Sequence, residues 1–135
     1  MSPPAIDTRD KLHHYLHVAM QIEHATLPPY LLALYSIKPG NNSDASHILR
    51  VIAVEEMLHL TLVANLLNAV GGKPDLTAPD FVPCYPAYLP DGENDFVVDL
   101  QPFSHKAVRD TFLKIERREP PPSHTPRVVQ RKHPN

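Results

Sequence analysis

The sequence predicts an all-α fold in which two long antiparallel helices form one half of a helical bundle. Apolar residues recur at spacings of three and four over residues 12–34 and again over residues 45–70, the period of an amphipathic helix. Only the segment SIKPGNNS separates these two stretches, so the helices are expected to be antiparallel neighbours. Eleven of the 16 prolines lie after residue 73, and those within residues 74–102 exclude a long helix there.

The first predicted helix begins after a cap at Asp7 or Thr8 and extends to about Tyr35. Its apolar stripe carries one carboxylate, and its members are Leu12, Leu16, Ala19, Met20, Glu23, Leu27, Tyr30, Leu31 and Leu34. Four histidines of this helix fall mostly off the stripe, which favours a solvated or partner-facing flank: His13, His14, His17 and His24.

The pair Pro28-Pro29 interrupts this pattern, because both residues lack an amide hydrogen and crowd the preceding turn. Two outcomes are open. The helix stops there, or it bends and leaves the carbonyls of His24 and Ala25 without helical partners.

The second predicted helix runs from about Asp44 to Val70, with Asn42 or Ser43 as its cap. It stops at Gly71-Gly72, where a left-handed C-terminal cap forms easily. Its inward arc again contains ionisable residues, and its members are Ala45, Leu49, Ile52, Glu56, His59, Val63, Leu67 and Val70.

The rest of the chain is predicted to be irregular apart from one short helix. A turn at Asp91-Gly92 and a short strand, DFVVDL, are expected within the proline-rich residues 74–102. Ser104 can cap a third helix with Val108, Phe112 and Ile115 on one face. These elements define a domain over residues 1–119, followed by a disordered, proline-rich basic tail over residues 120–135.

Composition excludes several function classes. The net charge of −2 gives no sign of nucleic-acid binding. The sequence has no signal peptide and no apolar run long enough to cross a membrane. The single cysteine, Cys84, excludes an internal disulfide. The prediction is therefore a cytoplasmic protein with neither nucleic acid nor membrane as a partner.

Three inward residues predict a metal site. Glu56 and His59 lie one turn apart on the second helix, and Glu23 lies on the facing stripe of the first. Carboxylates together with imidazole suit iron, manganese or zinc, and an ion would compensate the buried charge. The alternative is structural pairing, with Glu23 bound to a buried His or Arg side chain and His59 a satisfied core histidine. No residue is assigned as catalytic.

Two further residues are candidates for a supporting role. Glu55 lies on the edge of the apolar arc, where it either supports the site from outside or belongs to the surface. Tyr30 lies seven residues after Glu23 on the same stripe. Its hydroxyl either donates to a ligand carboxylate or is part of the core.

The stretches AMQIEHATLPPYLLALYSIKPG and VIAVEEMLHLTLVANLLNAVGGKP resemble the ferritin-like domain of the iminophenylpyruvate dimer synthase family. The resemblance covers about residues 10–119. It implies a ferritin-like fold, ligand roles for Glu23, Glu56 and His59, and iron or manganese as the cofactor. The activity that it implies is a metal-dependent oxidoreductase or synthase, which couples units derived from an oxidised aromatic amino acid in bisindole biosynthesis.

The chain departs from that family after Glu119, where a second helix pair would supply another Glu and a Glu-x-x-His. We therefore expect a truncated half-bundle that a homodimer or higher homo-oligomer completes to four helices. Two alternatives are open: a single ion per chain with water in the open positions, or a metal-free scaffold that is a catalytically inactive relative.

Overall fold

The computed structural model describes residues 5–90 and 94–117, and these form the predicted all-α half-bundle. Helix α1 (Arg9–Ser36) and helix α2 (Ser43–Ala69) are its two long elements. Leu34, near the end of α1, shares a core cluster with Leu49 at the start of α2. Met20 shares a second cluster with Leu67 near the opposite end. The two helices are therefore antiparallel, and their bounds lie within two residues of the predicted ones.

The helix ends form where the sequence predicts them. The Thr8 hydroxyl accepts the amide hydrogen of Lys11 at 3.2 Å, which caps α1. Gly71 has a left-handed φ of 80° and donates its amide to the Asn68 carbonyl, while Gly72 donates to Leu67. This pair of bonds is the Schellman arrangement. A Cβ on Gly72 would collide with the Leu67 side chain, so close packing of α2 requires glycine there.

Helix α1 does not stop at Pro28-Pro29 but continues through both residues. Pro29 cannot donate to the carbonyl of Ala25, four residues earlier. The Tyr85 hydroxyl takes the place of that amide and donates to the Ala25 oxygen at 2.6 Å. The irregular segment after α2 therefore satisfies the backbone group that the proline leaves open.

Removing this hydroxyl is expected to destabilise the fold. Tyr85→Phe leaves the buried Ala25 carbonyl without a donor, which costs about 1–2 kcal/mol. Urea unfolding measures the loss. Tyr88→Phe is the matched control, because Tyr88 is half exposed. Equal stabilities for the two variants would show that the bond to Ala25 contributes nothing.

The third predicted helix forms as a C-terminal helical segment of three consecutive pieces. These are α3 (His105–Ala107), a π-helical turn (Val108–Phe112) and α4 (Leu113–Ile115). Ser104 accepts from the amide of Ala107 and caps the segment as predicted. Phe112 is buried on this segment's inner face and packs with Tyr30 at a ring-centroid distance of 4.9 Å.

None of the described residues from 74 to 104, which leave out 91–93, lies in a helix. Phe81 packs into the cluster of Met20 and Leu67, so this segment covers one side of the helix pair. The predicted strand DFVVDL is wrong: within the described residues only a single antiparallel bridge forms, between Ala87 and Val98. The predicted Asp91-Gly92 turn and the predicted disordered tail over residues 120–135 lie outside the described residues. No helix in the described part of the chain is long and apolar enough to span a membrane.

Candidate metal centre

The antiparallel pairing of α1 and α2 brings together the three residues predicted as ligands. His59 Nδ1 lies 3.4 Å from Glu23 Oε2 and 3.9 Å from Glu56 Oε1. One donor atom from each residue lies within 4.8 Å of the other two. Two ligands at about 2.1 Å from a shared ion are at most about 4.2 Å apart, so both separations from His59 suit a common ion.

The three side chains differ in their access to solvent. The Glu56 side chain is 12% exposed, the Glu23 side chain 24% and the His59 side chain 50%. The cluster is therefore closed on the side where α1 meets α2 and open at His59. An ion held here would keep coordination positions on the open side, as substrate-binding metal sites do.

Thr26 fixes the most buried carboxylate. Its hydroxyl donates to Glu56 Oε2 at 2.6 Å and lies 2.9 Å from the backbone carbonyl of Glu23. Thr26 is itself 2% exposed. It stands one turn after Glu23 on α1, so one hydroxyl links the turns of both helices that carry the carboxylates.

The electrostatics of the cluster favour a bound cation. Burial, followed by the negative charge of Glu56, raises the pKa of Glu23 from 4.5 to about 7, while His59 partly opposes the shift. Two carboxylates held this close repel each other and compete for one proton. A divalent ion compensates both charges, and a Glu-Glu-His donor set suits iron, manganese or zinc. The residues present therefore fit a transition metal.

We expect Thr26→Val to weaken metal binding without unfolding the chain. Valine keeps the volume of threonine but leaves Glu56 free to turn and without its hydrogen bond. Loss of such a supporting bond lowers metal affinity roughly tenfold. Thr61→Val is the matched control, since Thr61 is exposed on α2 and its hydroxyl donates to the Met57 carbonyl of its own helix. Equal metal affinities in a competition titration would exclude this role for Thr26.

The two residues proposed in supporting roles lie in different surroundings. Glu55 is exposed on α2, beside the cluster rather than in it. Tyr30 is fully buried, and its hydroxyl donates to Glu116 Oε1 at 2.7 Å rather than to a predicted ligand. Burial raises the pKa of Tyr30 far above its ordinary value, with further contributions from the bond to Glu116 and from the charges of Glu116 and Glu56. A supporting role for either residue stays a prediction.

Sequence reasoning did not identify Thr26 or Glu116 as part of this region. The spacing could have identified Thr26, because a residue three positions after Glu23 lies on the same face of the helix. Glu116 offered no comparable signal, since its approach to Tyr30 depends on how the C-terminal helical segment folds back onto α1.

The histidines of α1 are not a fully solvated flank. His14 is exposed, but the other three are partly buried. His13 Nε2 lies 3.1 Å from the Val70 carbonyl, and His24 packs edge-on against Phe81. His13 therefore contacts the C-terminal end of α2, and His24 contacts the irregular segment that follows α2.

Comparison with known proteins agrees with this architecture at the level of the superfamily. The family model described as ferritin-like matches residues 16–135. No curated protein matches the chain, and no solved structure matches it. Nothing in these comparisons indicates the iminophenylpyruvate dimer synthases in particular. Because the family model matches most of the chain and the structure is a helical half-bundle, the chain belongs to the ferritin-like family.

Proposed function

We propose that the protein is a ferritin-like carboxylate–histidine metal protein that holds iron or manganese through Glu23, Glu56 and His59. The observation that carries this proposal is the convergence of the three donors from two helices. Two partly buried carboxylates this close repel each other, and a bound divalent cation would compensate both charges. Bound iron or manganese would supply redox chemistry, with dioxygen as the oxidant.

The chain's own residues would hold and orient such an ion. Thr26 fixes the rotamer of Glu56, while Glu23 loses its proton as the metal enters. His59 would bind the ion from the exposed side. We propose further that a homodimer or higher homo-oligomer completes the four-helix bundle, because one chain supplies only half of the ligand set of a di-iron site.

The proposed reaction is oxidation or oxidative coupling of a small aromatic substrate, in line with the family resemblance of the sequence. A groove of about 810 Å³ between α2 and the C-terminal helical segment supports such a substrate. Its walls include the aromatic rings of Phe103 and Phe112. Ile52, also in the wall, lies one helical turn before Glu56. An aromatic ring bound there would lie close to the metal centre.

Metal content of the purified full chain tests the proposal. Elemental mass spectrometry is expected to find about one iron or manganese per protomer, and the iron-loaded protein is expected to consume oxygen when an aromatic 2-oxo acid or amino acid is added. Absence of any transition metal, even after anaerobic loading with ferrous iron, would exclude the metalloprotein.

The second candidate is a metal-free helical scaffold that associates with itself. It is favoured by the exposed apolar side chains of α2, among them Ile48 and Leu66, each 56% exposed. In a scaffold, Glu23→Gln and Glu56→Gln would leave self-association unchanged and raise the stability, because two buried charges would be removed.

A further inference from the structure

One face of α2 carries apolar side chains that stay exposed. Ile48, Leu58, Leu62 and Leu66 are 50–56% exposed and Val51 is 40% exposed. Together with Glu55 they recur at steps of three and four residues and form a continuous row, the α2 stripe: Ile48, Val51, Glu55, Leu58, Leu62 and Leu66. The row extends about 27 Å along the helix.

The α2 stripe differs from the face that packs on α1. That inner face centres on Leu49, Ala53 and Leu67, all at most 4% exposed. On a helix, the stripe lies roughly 100–180° around the axis from it. A soluble chain that exposes so long an apolar row leaves it for another surface to cover.

The metal centre lies at the edge of the α2 stripe. His59, half exposed, lies four residues after Glu55 and three before Leu62, so it borders the stripe on the same side of the helix. Glu55 stands inside the stripe and is exposed. Any surface that covers the stripe therefore also covers the open side of the metal centre, and it does so beside a carboxylate that needs a polar or cationic partner once water is removed.

We propose that the α2 stripe is the interface of a homodimer in which two α2 helices pack antiparallel, and that the partner's Glu55 completes the metal centre of each protomer. This inference rests on the proposed metal site for the role of Glu55, whereas the packing of the stripe stands on its exposed apolar row. The self-complementary order of the row, apolar at both ends and ionisable near its centre, fits a second copy of the chain.

The register follows from symmetry. The midpoint of the α2 stripe lies at the level of Met57, nine residues from Ile48 and nine from Leu66. A two-fold axis at that level superposes the whole row and sets Ile48 opposite the partner's Leu66. Glu55 lies two residues before this level and His59 two residues after it. Each Glu55 therefore faces the partner's His59 and the ion beside it.

Cross-linking tests the register without reference to metal. Ile48→Cys and Leu66→Cys are made separately, each with Cys84→Ser, because Cys84 is an exposed thiol. A short bis-maleimide is expected to link the mixed chains but neither variant alone, since two copies of position 48 would be about 27 Å apart. Linkage of the Ile48→Cys variant with itself would overturn the antiparallel register, and no linkage in the mixture would overturn the interface.

Sedimentation of Leu62→Glu tests whether the stripe holds the dimer. A charge in the middle of the apolar row is expected to weaken association roughly a hundredfold. Leu76→Glu is the matched control, because Leu76 is 50% exposed in the irregular segment after α2 and lies outside the stripe. It is expected to change the dimer dissociation constant less than threefold. Equal dimer dissociation constants for the two variants would overturn the proposal.

Metal titration of Glu55→Gln tests its contribution to the site. The variant is expected to stay dimeric and to bind ferrous iron or manganese at least tenfold more weakly than the wild type. The monomeric Leu62→Glu chain is expected to show a similar loss. Unchanged affinity in both variants would overturn the role of Glu55 and leave the three-residue site intact. Absence of bound metal in the wild type would instead exclude the proposed metal-binding function. The cross-linking result would still show whether the α2 stripe is a dimer interface.

Discussion

Glu56→Gln is expected to abolish metal binding, from about one iron or manganese per protomer to none. Glu56 is the most buried of the three ligands and the one that Thr26 holds in place. Glutamine keeps the shape and the hydrogen bond from Thr26, but it removes the negative charge that a divalent cation requires. Elemental analysis after loading with ferrous iron measures the loss.

The same substitution is expected to have the opposite effect on the metal-free protein. It removes the repulsion between Glu56 and Glu23, so the free energy of unfolding in EDTA should rise by about 1–2 kcal/mol. Asp44→Asn is the control, because Asp44 is an exposed carboxylate in the first turn of α2. Retention of metal by Glu56→Gln, or its loss from Asp44→Asn, would contradict the assignment of the site.

The metal-free protein is expected to lose stability as the pH rises from 5 to 8. The pKa of Glu23 is raised from its ordinary value near 4.5 to about 7 by burial and by the charge of Glu56. A carboxyl that binds its proton more tightly in the folded state stabilises the fold fully below pH 4.5. That contribution disappears as the pH rises through 7. The Glu23 side chain is about a quarter exposed, which reduces the effect to roughly 2 kcal/mol.

Metal binding is expected to reverse this pH dependence. The ion must displace the proton of Glu23, so its affinity should fall about tenfold for each pH unit below 7, or on the order of a hundredfold between pH 8 and pH 5. Urea unfolding at pH 5 and pH 8 measures the slope of the free energy of unfolding against pH, once in EDTA and once with saturating manganese. In Glu23→Gln, the slope attributed to this carboxyl should vanish from the EDTA series. An unchanged slope would exclude Glu23 as its origin.

The periodic parts of the fold were predictable from the sequence because each rests on local rules. The apolar spacing defines α1 and α2, and Thr8 and Gly71 mark ends that depend only on neighbouring residues. The convergence of Glu23, Glu56 and His59 also follows, because a short connection sets the two inward faces against each other. Whether they bind a metal is still a prediction, since geometry shows only that the donors can share an ion.

Other features depended on contacts between distant parts of the chain. From neighbouring residues alone, Pro28-Pro29 predicts a break or a bend in the helix. The helix continues because the Ala25 carbonyl accepts a hydrogen bond from the hydroxyl of Tyr85, sixty residues later in the chain. The strand predicted at DFVVDL has the right composition, but only Val98 finds a bridge partner. Glu116 meets Tyr30 across 86 positions of sequence, which no local pattern encodes.

The π-helical turn at Val108–Phe112 has a consequence for length variation. The amide of Leu113 reaches back five residues to the Val108 carbonyl, whereas an α-helix reaches back four. The turn therefore accommodates one extra residue while Ala107 stays buried and Glu116 accepts the hydrogen bond from Tyr30. Deleting a single residue there would convert the turn to α-helix and leave Glu116 facing Tyr30. A deletion between Glu56 and His59 cannot be absorbed in this way, because it would rotate His59 by about 100° relative to Glu56.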